Sequence, residues 1–207
     1  MDFIALDFET ANSCRESICS VGMAIVENGK VVKTVDRLVK PAPDYYNDIN
    51  ISVHGITPDM TEKEPTFCEL WEDLKPYFDH RIMVAHNASF DFSVLRNTLD
   101  YYNIEYPTLS YYCSMLLSRR AFPDLINHRL PTVCRYMEYD NLTHHNAQSD
   151  AEACAYIMLG IFKQYRVDSF DELNNHINFS GGIISPDFYK PFSSCVKRKN
   201  NNKKQRL

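Results

Sequence analysis

The chain has 207 residues, of which 44% are hydrophobic and 24% are charged. This composition favours one soluble, well-packed domain and excludes a collagen, a coiled coil and a wholly disordered chain. The apolar runs are shorter than the roughly 20 residues that span a membrane, and the first residues carry no secretory signal, so we expect a cytoplasmic protein with no membrane association.

The net charge of −5 is unevenly distributed. Residues 196–207 carry six basic groups and no acid, which leaves 16 basic and 27 acidic groups in the rest of the chain. We expect a disordered basic tail that either holds a polyanion or serves as a solubilising terminus. The acidic body favours carboxylates that hold metal ions over a general nucleic-acid binder.

The first third of the chain predicts three strands and a long loop. The apolar run Phe3–Phe8 is typical of a buried strand that ends in acids. Ile18–Val26 and Val31–Val39 flank Asn28-Gly29 and predict a hairpin. Residues 41–66 contain four prolines and predict a loop with one helical turn, opened by Thr57-Pro58.

Helices and two more strands alternate in the remainder. The strands are predicted at Ile82–Ala85 and Leu109–Tyr112. The helices are predicted over Phe67–Phe78 with Thr66 as the cap, from Ser89 onward, around 114–121 and 131–138, from Ser149 to about Tyr165, and from Ser169 onward. This order predicts a mixed α/β sheet with helices on its faces.

Two acids end the first predicted strand. Asp7 and Glu9 are two residues apart, so their side chains share one face of the strand. Two like charges repel unless a cation neutralises them or one stays protonated. The pair therefore indicates a metal site, although a solvated strand end is an equally simple interpretation of so short a pattern.

Two later segments, 86–91 and 145–150, both read His-Asn-Ala-x-x-Asp. Asp91 and Asp150 each lie in the first turn of a predicted helix, where the helix dipole alone would explain an acid. Ser149 and Glu152 could also form a capping box there. The residues alone leave open which acids bind a metal and whether His86, His144 or His145 is a general base.

Four segments in order resemble the DEDDh 3′–5′ exonucleases, a family that includes the proofreading epsilon subunit of bacterial DNA polymerase III and its stand-alone relatives. The segments are Asp7–Thr10, Val53–Thr57, His86–Asp91 and His145–Asp150. The resemblance covers about residues 2–165 and implies a ribonuclease H-like fold, with a mixed five-stranded sheet flanked by helices. We accordingly expect an exonuclease domain over 1–166, a C-terminal extension over 167–195 packed on or near it, and the tail at 196–207.

The resemblance also implies a role for particular residues. Those that resemble the four metal-binding carboxylates, for two Mg²⁺ or Mn²⁺ ions, are Asp7, Glu9, Asp91 and Asp150, and the one that resembles the general base is His145. The residues implied to line the pocket for the terminal nucleotide are Thr10, His54, Asn87 and Phe90. The chain departs from many relatives after Thr10, where it has Ala11-Asn12-Ser13 in place of Thr-Gly.

The implied function is hydrolysis of phosphodiester bonds from a 3′ end, by a two-metal mechanism that releases 5′-mononucleotides. Nucleic acid 3′ ends, with DNA favoured, and a DNA polymerase subunit are the implied partners. Three alternatives stay open at this point. They are an exoribonuclease on the same scaffold, a nuclease fold that mainly binds nucleic acid or a polymerase, and an inert α/β domain whose acids are caps and strand ends.

Overall fold

The structure, a computed structural model, describes residues 1–193. Over this range the strands are β1 (Phe3–Thr10), β2 (Ile18–Glu27), β3 (Lys30–Leu38), β4 (Arg81–Ala85), β5 (Leu109–Cys113), β6 (Gly182–Ser185) and β7 (Phe188–Lys190). The helices are α1 (Asp48–His54), α2 (Pro58–Thr61), α3 (Phe67–Phe78), α4 (Ala88–Tyr101), α5 (Ser114–Ala121), α6 (Leu130–Tyr136), α7 (Ala147–Tyr165) and α8 (Phe170–Ile177). The tail predicted at 196–207 lies outside the described residues.

All seven strands form one sheet in the order β3-β2-β1-β4-β5-β6-β7. Strands β1, β2 and β3 pair antiparallel, whereas β1, β4 and β5 run parallel to one another. The carboxyl ends of the parallel strands therefore meet at one edge, which is where open α/β sheets bind their ligands. The acids of β1 and the segment after β4 reach this edge together.

Alternation along β1 assigns its side chains to two cores. Ile4, Leu6 and Phe8 join a cluster with α3 and α4, whereas Phe3 and Ala5 join a cluster with α7 on the opposite face. The period of two places Asp7 and Glu9 on the α7 face. The mixed sheet flanked by helices confirms the predicted architecture.

The predicted number of strands was wrong, because the sheet has seven strands within residues 1–193 and not five. β6 and β7 have only four and three residues, and β6 begins with a glycine, so neither gives a clear strand pattern. Gly182 is required there, since a Cβ atom at this position would lie 2.2 Å from the Tyr111 ring. The segment after Arg166 thus forms α8 and adds two strands to the sheet, with β6 antiparallel to β5.

Helix starts also differ from the prediction. Helix α1 occupies part of the predicted loop, with the Asn47 side chain accepting a hydrogen bond from the Asn50 N–H and Gly55 in the left-handed conformation at its end. It buries none of its residues, so it carries no apolar stripe to reveal it. Helix α4 begins at Ala88, one residue before the expected start.

Helix α7 begins at Ala147, two residues earlier than expected, and its cap is Asn146. The proposed Ser149/Glu152 capping box is therefore wrong. Ser149 donates its N–H to the Asn146 side chain and accepts a hydrogen bond from the Thr143 N–H instead. In residues 1–193, none of the helices has both the length and the apolar character needed to cross a bilayer.

Candidate active site

The predicted acids surround a cavity of about 530 Å³ at the carboxyl edge of the sheet. Asp7, Glu9, Asp91 and Asp150 all contribute to its walls. One carboxylate oxygen from each of Asp7, Glu9 and Asp150 lies within 4.8 Å of the others, a spacing that one cation can bridge. The three carboxylates meet because α7, which carries Asp150, covers the face of β1 that carries Asp7 and Glu9.

Asp91 reaches the cavity from the opposite face of the sheet, in the first turn of α4. Its side chain is 2% exposed, and its Oδ1 accepts a hydrogen bond from the Phe8 N–H at 3.2 Å. It stands outside the group of three oxygens within 4.8 Å. The four acids thus come from β1, α4 and α7.

Burial raises the pKa of all four carboxyl groups, and repulsion between the acids adds to it at Asp7, Glu9 and Asp91. Burial, followed by repulsion from Asp91, Glu9 and Asp150, holds the pKa of Asp7 well above its ordinary value. Burial and repulsion raise the pKa of Glu9 to about 8, and burial above all raises the pKa of Asp91 to about 7. Burial also raises the pKa of Asp150. Carboxylate oxygens are hard donors that suit Mg²⁺ or Mn²⁺. The charge of either cation would stabilise the ionised form of these four carboxyl groups.

A glycine on β2 lets the start of α7 approach the sheet. Gly22 is the register partner of Asp7, and a Cβ atom at Gly22 would lie 2.0 Å from the backbone carbonyl carbon and oxygen of Ala147. Gln148 secures the same turn, since its Nε2 donates to Thr34 Oγ1 on β3 at 2.9 Å. No local pattern singles out Gly22, because the contact joins residues 125 positions apart in the chain.

His145 lies on the cavity wall in a left-handed backbone conformation, with φ of 66°. Its N–H donates to Asp150 Oδ2 at 3.1 Å. Burial, followed by the charge of the neighbouring His144, lowers the pKa of the His145 imidazole, which favours the neutral ring that can accept a proton. The rings of His144 and His145 stack with centroids 3.8 Å apart, and His144 Nδ1 lies 3.1 Å from Asp150 Oδ2.

His86 occupies the equivalent place in the first His-Asn-Ala segment, but both of its ring nitrogens are engaged. Nε2 donates to the His128 carbonyl at 2.9 Å, so Nδ1 accepts from the Ser114 hydroxyl at 2.8 Å. Burial lowers the pKa of His86 to about 4. The His86 ring is therefore neutral, and its hydrogen bonds connect the end of β4 to α5 and to the loop before α6.

The four residues expected around the terminal nucleotide divide into two pairs. Asn87 and Phe90 line the cavity of the acids. Thr10 is 6% exposed, and its carbonyl lies 3.2 Å from Nε2 of His54. His54 lines a neighbouring cavity of about 380 Å³ that it shares with His144 and His145.

Several lining residues had no signal in the sequence that set them apart. Val53, Met115 and Leu130 supply apolar wall, and Arg129 adds a cation at the rim. Val53 does lie in the segment Val53–Thr57, so that segment could have drawn attention to it. Met115 lies in α5, Leu130 begins α6 and Arg129 directly precedes it, and none of these segments carries a motif.

Comparison with known proteins adds a family, relatives and structural neighbours. A family model described as RNase_T, exonuclease, matches residues 4–158. The chain is 28% identical over 183 residues to a protein named DNA polymerase III PolC-type from Oceanobacillus iheyensis, which covers 84% of this chain and 12% of that protein. The chain spans about an eighth of the length of the curated relatives that it matches.

Solved structures share the fold. Exonuclease X in complex with 5′ overhanging duplex DNA aligns with a TM-score of 0.66 and 23% identity, over 80% of this chain and 94% of that one. A structure of exonuclease I aligns with a TM-score of 0.70 and 19% identity, over 85% of this chain and 44% of that one. These neighbours confirm the ribonuclease H-like architecture of the sheet and helices.

Proposed function

The chain belongs to the RNase_T exonuclease family as a DEDDh-type member, and from this premise we propose that it is a metal-dependent 3′–5′ exonuclease that releases 5′-mononucleotides. The observation that carries the proposal is the meeting of oxygens from Asp7, Glu9 and Asp150 within 4.8 Å. Burial and mutual repulsion raise the pKa values of Asp7 and Glu9, and such a group of perturbed carboxyls in a cavity favours a functional site. A fold with acids only as caps and strand ends would not need that crowding.

The residues divide the work of phosphodiester hydrolysis. Asp7, Glu9 and Asp150 would hold one divalent cation, and Asp91, with Asp7, would hold a second. Bound Mg²⁺ or Mn²⁺ supplies Lewis-acid stabilisation of the attacking and leaving oxygens. His145 accepts the proton of the attacking water, because its ring faces the cavity with a lowered pKa. Phe90 and Asn87 contact the terminal nucleotide from the α4 side of the cavity.

DNA is the favoured polymer and a DNA polymerase the favoured partner. Both proposals draw on the relatives that are named DNA polymerase III PolC-type and on the neighbour that was solved with duplex DNA. An exoribonuclease is the alternative, since a protein tells RNA from DNA by contacts to the 2′-hydroxyl and not by the acids.

The test is digestion of matched single-stranded DNA and RNA 20-mers that carry a 5′ label. We expect stepwise shortening from the 3′ end with Mg²⁺ or Mn²⁺, none with EDTA, and faster loss of DNA. Asp7→Ala should abolish shortening because it removes an acid shared by both proposed cation positions. Circular dichroism of the variant serves as the control for folding.

Absence of shortening by the wild-type protein with either metal would overturn the proposal, as would cleavage that persists in EDTA. Faster loss of RNA would replace the DNA preference by the exoribonuclease alternative. Binding of both strands without any product would identify a nucleic-acid-binding module instead.

A further inference from the structure

The loop between β1 and β2 is the segment in which the chain departs from the Thr-Gly of many relatives, and it is held firmly. The Asn12 side chain donates to the Tyr45 carbonyl at 2.8 Å and accepts from the Cys14 N–H at 2.8 Å. Ser17 closes the loop, since its hydroxyl donates to the Cys14 carbonyl at 2.7 Å. Asn12 and Ser17 are both buried. These bonds fix the backbone on either side of Arg15.

Arg15 is exposed, and its guanidinium lies 4.5 Å above the centre of the Phe90 ring. The ring holds the cation at the rim of the acid cavity by a cation–π contact. Within residues 1–193 the guanidinium has no carboxylate within 4.0 Å and no hydrogen-bond acceptor. Its five N–H donors are therefore available to a ligand. Because Phe90 lines the cavity of the acids, the guanidinium stacked on it lies beside that cavity.

The position of Arg15 suits contact with one particular phosphate of the nucleic acid strand proposed above as the substrate. The inference therefore rests on the proposed exonuclease function. The scissile phosphate meets the acids, and the terminal nucleotide beyond it ends in a hydroxyl. The next phosphate of the strand therefore belongs to the penultimate nucleotide, on the 5′ side. A planar guanidinium with free donors is well suited to grip a phosphate with two hydrogen bonds.

We infer that Arg15, supported by the Phe90 ring, forms a subsite for the phosphate on the 5′ side of the penultimate nucleotide. Arg129 also lines the cavity, but no aromatic ring holds its guanidinium among the described residues. Arg15 thus acts in strand binding and not in the hydrolytic step. This subsite would favour a polymer over a single nucleotide ester.

The test compares two substrates in the Arg15→Gln variant. One is a single-stranded DNA 10-mer, and the other is the p-nitrophenyl ester of thymidine 5′-monophosphate, which has a scissile phosphate but no second one. We expect the KM for the 10-mer to rise about ten-fold with kcat unchanged. Hydrolysis of the ester should not change. The salt dependence of 10-mer affinity should weaken by roughly one unit of slope.

Arg81→Gln is the matched control, because it removes the same charge from the exposed start of β4, at the opposite edge of the sheet. Arg15→Lys should recover only part of the affinity, since an ammonium keeps the charge but not the planar contact with Phe90. Equal KM values for the Arg15→Gln and Arg81→Gln variants would overturn the subsite. Loss of ester hydrolysis in Arg15→Gln would also overturn it, because Arg15 would then act on the scissile phosphate.

A binding measurement separates failure of the subsite from failure of the proposed exonuclease. Fluorescence anisotropy of a labelled 10-mer with Ca²⁺ should show weaker binding by Arg15→Gln than by Arg81→Gln, whether or not the wild-type protein cleaves either substrate. Binding without hydrolysis would contradict the proposed function alone. Equal binding by the two variants, or none by the wild type, would contradict the subsite.

Discussion

His86 and His145 occupy the same place in two copies of one six-residue pattern, yet their surroundings give them opposite chemistry. The His86 ring is enclosed, with a carbonyl on one nitrogen and a hydroxyl on the other. His145 lines the cavity, and its backbone N–H donates to Asp150 of the proposed cation site. Of these two histidines, we therefore propose His145 as the one that exchanges a proton with water in the cavity.

A paired substitution tests this assignment. We expect His145→Ala to lower the single-turnover rate by about 10²–10⁴, the usual contribution of a general base, with little change in melting temperature. His86→Ala should instead lower the free energy of unfolding by about 1–3 kcal/mol, because it leaves the His128 carbonyl without its side-chain donor and removes one partner of the Ser114 hydroxyl.

Thermal unfolding and single-turnover rates measured on both variants decide the matter. A large loss of rate in folded His86→Ala, together with a normal rate in His145→Ala, would reverse the roles of the two histidines.

At the scale of elements, the position of the start of α7 depends on the absence of a side chain at Gly22. Gly22 leaves room for the Ala147 carbonyl, and this contact sets how deeply the first turn of α7 descends toward β1. Asp150 lies in that turn and His145 lies just before it. The helix can approach no closer without a clash, and with any larger residue at position 22 it must move away.

Gly22→Ala should therefore displace the turn and lower activity by about 10²-fold or more, since a shift of about 1 Å in a positioned group has that cost. We also expect a loss of about 1–3 kcal/mol in stability from overpacking. Metal titration and digestion rates measure the two effects.

Gly160→Ala in the same helix is the matched control. Its Cβ would contact only the end of the flexible Met137 side chain, which can move aside. We expect Gly160→Ala to keep wild-type activity. Equal rates in the two variants would show that the depth of α7 does not govern the site.

The sequence predicted most elements but not how the two His-Asn-Ala segments differ. In the first, the left-handed residue is Asn87, with φ of 74°, and in the second it is His145, with φ of 66°. The same residues thus turn at different positions, so the two histidines, which both line the cavity, have different hydrogen-bond partners. The residue types of the two segments do not predict this difference, because the backbone conformation depends on the elements that pack around each segment.

Predictions from local pattern succeeded where a periodic apolar stripe exists, as in α3 with its Thr66 cap. They failed for α1, which has no buried face, and for β6, whose Gly182 accommodates a ring from a distant strand. The gathering of the four acids was implied by the resemblance to the exonucleases, since the residues alone left open which acids bind a metal. Arg15 and Gly22 were not, since both act through contacts between segments far apart in the chain.

At the scale of the whole molecule, the acid cavity reduces the stability of the metal-free fold. The folded-state pKa values of Glu9, about 8, and Asp91, about 7, lie above the ordinary range for carboxyl groups. These protonated groups stabilise the fold at acidic pH, and their contribution is lost as the pH rises through about 7–8. A bound cation would offset that loss only where the groups are ionised.

We therefore expect the rise in melting temperature caused by Mg²⁺ to grow between pH 5.5 and pH 8.5. At pH 8.5 the metal-free Asp7→Asn variant should melt about 2–4 °C or more above the wild type, because it removes one repelling charge. Thermal unfolding in EDTA and in MgCl₂ at both pH values provides the measurement. The idea fails if the Mg²⁺ effect is the same at both pH values or if Asp7→Asn lowers the melting temperature at pH 8.5.

Strands β6 and β7 determine how a shortened fragment that keeps only the catalytic part would behave. A fragment that stops after Tyr165 would keep every acid and histidine discussed above, yet it would lose the strand that covers β5. The bare rim of β5 would then offer unpaired N–H and carbonyl groups to a second molecule. Such a fragment should precipitate or self-associate before its activity can be judged, whereas one that extends through Phe192, which contacts both cores, keeps that rim closed.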